Sequence, residues 1–111
     1  MSHTERRAII ARLNDKLRQT GEDGWIFLTV GIAYLPISTK NAIVNAIRLF
    51  DAFTPDNDPY GEHDCAILTV KGRRILWKID YYRRDHTNAE CDPADAATTK
   101  CVLTIMLAEE Y

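Results

Sequence analysis

No stretch of the chain approaches the roughly 20 apolar residues that a membrane-spanning helix needs, and the opening MSHTERR is charged rather than signal-like. Cysteine is sparse. Cys65, Cys91 and Cys101 are odd in number and form no CxxC pair, which suits reduced thiols in a cytoplasm better than a secreted disulfide frame. Glycine is scarce as well. Gly21 and Gly24 precede a strand-like run instead of a helix, so no phosphate-binding loop is formed. There is no HExxH, and no second histidine stands at ligand spacing from His63. Neither sign of charge dominates: 14 Lys and Arg against 16 Asp and Glu leave a net charge of −2, no bulk attraction for nucleic acid or membrane.

What is present fits one ordinary domain spanning residues 1–111. The chain is 46% hydrophobic and 27% charged, long enough to build a core without staples. Its charge comes in blocks. Residues 51 to 64 hold Asp51, Asp56, Asp58, Glu62 and Asp64 with no Lys or Arg, and residues 71 to 84 hold Lys71, Arg73, Arg74, Lys78, Arg83 and Arg84 against Asp80 alone. Arg6, Arg7, Arg12, Lys16 and Arg18 make a third cluster, interrupted by Asp15 and expected on a solvated helix face.

Ser2 and Glu5 have capping-box spacing, and Ile9, Ile10, Leu13 and Leu17 recur at helical intervals. The pattern predicts a helix from about Thr4 to Gln19, stopped by Gly21 and Gly24. Trp25 to Tyr34 is apolar on both faces and predicts a strand inside a sheet, ended by Pro36. Gly31 there marks a bulge or a close backbone approach. Ser38 is the expected N-cap of a second helix reaching about Phe53, followed by the loop TPDNDPYGEHD.

Gly72 centres a hairpin between Cys65–Val70 and Arg74–Tyr82. Alternation puts Ala66, Leu68, Val70, Ile75, Trp77, Ile79 and Tyr81 on a core face. Leu76, Lys78, Asp80 and Tyr82 share a second, half-polar face, where a site or partner surface is expected. Asp92-Pro93 reads as a cap and first turn of a last helix to about Glu110, although the β-branched run Val102–Ile105 leaves a strand open. The expected fold is α+β, of order α-β-α-β-β-α, with an antiparallel sheet packed against helices.

The blocks NDPYGEHD, WKIDYY and VLTIMLAEEY resemble a family of short bacterial proteins classed as a domain of unknown function. The resemblance runs from Leu13 to the C-terminus. It departs from the family near Ala96, where members often carry another proline. It implies an accessory protein of a plasmid or other mobile element, for example one acting on a host defence system. It implies no activity, cofactor or catalytic residue.

Asp58, Glu62, His63 and Asp64 offer oxygen and nitrogen donors to a divalent metal, the basis for a metal-dependent hydrolase or nuclease. His63 and Asp64 converge only if the loop bends there. Against this, Asp58 and Glu62 are expected to accept backbone N–H bonds within the loop. Hairpin parity also separates Asp64 from Lys78, a separation that argues against a nuclease pairing. Cys65 sits among carboxylates, which do not activate a thiol. The reading is therefore a non-catalytic binding protein without a cofactor, with a protein partner expected ahead of nucleic acid. Its candidate surfaces are an acidic loop (Asp56, Asp58, Tyr60, Glu62, His63, Asp64) and a basic hairpin end (Arg73, Arg74, Lys78, Arg83, Arg84), with the acidic loop imitating a phosphate backbone.

Overall fold

The run Thr99–Leu107 lies at the centre of the molecule as a strand, not a helix. In this computed structural model, which describes residues 1–111, it is β4 of a four-stranded sheet ordered β1-β4-β3-β2. β1 is Gly24–Leu28, β2 Cys65–Val70 and β3 Arg73–Arg83. β4 is antiparallel to β3 and parallel to β1, so the sheet is mixed where an antiparallel one was expected. The helical expectation for residues 93–110 fails because Val102 to Met106 is apolar on both faces, as a strand between two neighbours must be.

The same logic was assigned to the wrong segment at residues 25–34. β1 is a five-residue edge strand and the chain then turns through a short helix α2, Val30–Ala33. Pro36, expected to end a strand, instead precedes α3, Ile37–Leu49. Gly31 is a close approach, as expected. A Cβ there would lie 2.6 Å from Glu110 Oε1, because that carboxylate accepts from Gly31 N (3.0 Å), Thr29 Oγ1 (2.7 Å) and Leu107 N (2.8 Å). Those three bonds, Thr29 first, hold the Glu110 carboxyl below its usual range.

α1, His3–Thr20, begins at Ser2, whose Oγ accepts from Glu5 N, and stops at Gly21 in the left-handed region. It packs with α3 on one face of the sheet. Leu17, Ile43 and Ile47 meet Ile75, Trp77, Ile79, Leu103 and Ile105 in a single core. The hairpin register pairs Ala66 with Trp77 and Leu68 with Ile75, giving the expected division of faces. Its turn is Lys71-Gly72, both at positive φ (50° and 79°), the conformation that matches strand twist in a two-residue loop. The fold is α+β. No helix is long and apolar enough to cross a membrane.

Candidate functional site

The acidic loop is bound into the fold. Asp58 is buried, and its carboxylate accepts from the backbone N–H of Glu62 (3.2 Å) and of His63 (3.3 Å to Oδ2). This is the loop-closing role expected of it; Glu62 makes no such bond through its side chain. The chain does bend at His63, whose φ is 54°. The bend carries the imidazole away from Asp64 and onto helix α1. There Nδ1 lies 3.0 Å from both oxygens of Asp15, Nε2 faces Asp58 Oδ2 at 3.7 Å, and the ring stacks on Phe53 at 4.0 Å.

No three His, Cys, Asp or Glu side chains are grouped as metal ligands would be. The imidazole's two nitrogens already face carboxylates. Burial raises the Glu62 and Asp64 carboxyls above their usual range, with Asp64 adding to the rise at Glu62 and Asp58 to that at Asp64. Asp56 is exposed, and Tyr60 lies beneath the Arg7 guanidinium at 5.1 Å. Burial and Asp64 also push the Cys65 thiol up, away from nucleophilic reactivity.

The basic residues are not brought together. β3 is 11 residues of extended chain, so Arg73 and Arg74 at its start stand roughly 30 Å from Arg83 and Arg84 at its end. Lys78, midway, is ion-paired with Asp80. Arg83 pairs with Asp85 at 3.0 Å, and Arg84 Nε donates to the Ala96 carbonyl at 2.9 Å. Of the two tyrosines in WKIDYY, Tyr81 turns inward and accepts from Asn14 Nδ2 at 2.8 Å; only Tyr82 faces out.

The sheet face opposite the helices is open, and a surface missed by the sequence reading lies there. Trp25 and Phe27, paired in register with Val102 and Thr104, remain 54% and 51% exposed beside Tyr82 at 54%. The Trp25 and Phe27 rings lie within 12° of parallel with centres 6.1 Å apart. Lys100 Nζ sits 5.0 Å over the Trp25 ring. With Arg83 and the segment His86–Asn88 they line a cleft of about 640 Å³ that no carboxylate borders. The signal available beforehand was the alternation Trp25-Ile26-Phe27. It was read as a covered strand, which hid the outward pair.

A family of proteins of unknown function, DUF3768, matches residues 28–110. The chain belongs to that family. The DUF3768 match covers α2, α3, the hairpin, β4 and the Glu110 cap, including Tyr82 and Lys100 of the cleft. Helix α1, Trp25 and Phe27 precede it. No curated protein and no solved structure matches the chain.

Proposed function

We propose that this DUF3768 protein is a non-catalytic binding protein that takes a macromolecular partner on the open face of its sheet. The observation that carries this reading is the one-sided layering. Helices cover one face of the sheet, while Trp25, Phe27 and Tyr82 stand half-exposed on the other. Large aromatic side chains with few rotatable bonds are what recognition surfaces favour. The acidic loop contributes to folding, since Asp58 and His63 are engaged with the backbone and with α1. A reduced, cytoplasmic setting belongs to the same reading, supported by three cysteines that stand free. The resemblance to mobile-element proteins supports an accessory role there, including action on a host defence system.

In-cell photocrosslinking tests the surface. Tyr82→p-benzoylphenylalanine is expected to give a discrete adduct, and Asp56→p-benzoylphenylalanine, in the acidic loop, none. Adducts from position 56 alone would transfer the function to the loop.

A further inference from the structure

We infer that the partner on the open face is single-stranded nucleic acid, with bases stacked on Trp25, Phe27 and Tyr82 and phosphates met by Lys100. This rests on the open-face reading and adds the class of ligand. The first argument is the type of side chain. Half-exposed rings on a flat sheet are platforms for any base, because every base has a π-face. Lys100 Nζ lies over the Trp25 ring, where the electrostatics of the ring already holds a cation. A base can take that place while the half-buried lysine swings to the adjoining phosphate.

Charge supplies the second argument. The chain is net acidic, but the cleft is not. Lys100, Arg83 and His86 border it and no Asp or Glu does. Arg83 is ion-paired with Asp85 at 3.0 Å, which leaves Lys100 as the free cation of the lining. Thr87, Asn88 and Thr104 add neutral groups able to meet base edges.

Geometry separates this ligand from its rivals. A duplex keeps its bases stacked inside, out of reach of rings on a flat face; splayed bases of a single strand reach them. A second copy of the chain docking face to face would be isologous, with the same patch on both sides. The lining holds Lys100 and His86 and no Asp or Glu, so it offers a copy of itself no complementary charge.

Fluorescence provides the test. The chain has two tryptophans and Trp77 is fully buried, so a ligand on the open face changes the emission of Trp25. Purified protein is titrated at low salt with a single strand of roughly 16 nucleotides, as DNA and as RNA, and with the matching duplex. Saturable quenching by at least one of the single strands, weakening as salt is raised, is expected, with the duplex binding more weakly. Phe27→Ala and Tyr82→Ala are each expected to lower the association constant roughly five- to a hundredfold, the range for one lost stack. Lys100→Gln should lower it too and flatten its salt dependence. Thermal melts check the fold of each variant, and Lys100→Gln carries the test if an alanine variant does not fold.

Absence of quenching by either single strand overturns the proposal, as does equal binding of the duplex. A concentration-dependent dimer that shifts Trp25 emission without oligonucleotide also overturns it and gives the face to a second copy. Protein adducts at position 82 without oligonucleotide binding would keep the open-face reading and remove the nucleic acid. If neither adducts nor quenching is seen, both fall.

Discussion

The Arg18 guanidinium lies 5.3 Å from the centre of the Trp77 ring, and both side chains are buried. Its Nη1 donates to the carbonyls of Ile47 and Phe50, each at 2.8 Å, and its Nη2 to Asp15 at 2.8 Å. The cation thus satisfies the last carbonyls of α3, where the helix dipole favours positive charge. Asp15 in turn holds His63, so one chain of contacts ties α1, α3, the acidic loop and the sheet together.

Arg18→Met should therefore destabilise the fold by about 3 kcal/mol or more, because it strands buried carbonyls and the Asp15 carboxylate. Arg18→Lys should recover only part of this, since an ammonium cannot fork between two helices. Urea unfolding at constant slope measures both. A loss under about 1 kcal/mol for Arg18→Met, the range of an exposed pair, would mean that the guanidinium is dispensable.

The hairpin was legible because parity alone fixes which side chains share a face. Trp77 came out in the core, and Trp77→Ala should cost about 3–5 kcal/mol by equilibrium unfolding. β4 and β1 were not legible in the same way. A run apolar on both faces says that both faces are covered, but β1 carries such a run at an exposed edge. Only the pairing of β1 with β4 reveals that Trp25 and Phe27 face outward. Arg18 was hidden for another reason: in sequence it is one more cation in a basic helix, and its burial depends on where α3 ends.

Two glycines should respond differently to alanine. At Gly24 a Cβ would sit 2.5 Å from the Cys101 carbonyl oxygen and 2.8 Å from a Leu17 methyl. The first is backbone of the central strand and cannot move aside. Gly24→Ala should push β1 off β4, costing about 2 kcal/mol or more and weakening any binding through Trp25. At Gly31 the nearest atom, 2.6 Å away, belongs to the Glu110 carboxylate, the end of a flexible side chain. Gly31→Ala should cost less. Thermal melts of the pair give the order, and equal losses would contradict this account of the β1–β4 contact.

Asp64 provides a test by pH. Burial, with Asp58 adding to it, raises its carboxyl above the usual value of 3.8 in the folded state. A carboxyl raised on folding binds more protons folded than unfolded between the two pKa values. Its contribution therefore falls as pH rises through that window and remains a penalty above it. Asp64→Asn should raise the melting temperature at pH 7, leave it nearly unchanged below the unfolded pKa, and flatten the pH profile between. Glu62, raised by burial and then by Asp64, should titrate lower in that variant. An Asp64→Asn protein less stable at pH 7 than the parent would mean that the charged carboxylate is favoured where it sits.

His63 separates a structural loop from a metal site. Its Nδ1 is 3.0 Å from Asp15, its Nε2 faces Asp58, and its ring stacks on Phe53. A metal ion taking either nitrogen would have to displace one of those carboxylates or share it, and the grouping offers no third donor side chain. His63→Ala should thus lower the melting temperature by removing the stack and the Asp15 contact, with a cost of about 1–3 kcal/mol for the partly buried partners left behind. Millimolar Mg²⁺, Mn²⁺ or Zn²⁺ should leave the parent's melting temperature where it is, because only an ion that binds the folded state raises it. A rise with one of these ions that disappears in His63→Ala would identify a metal site at the loop. The case for a hydrolase centred on Asp58, Glu62, His63 and Asp64 would then be restored.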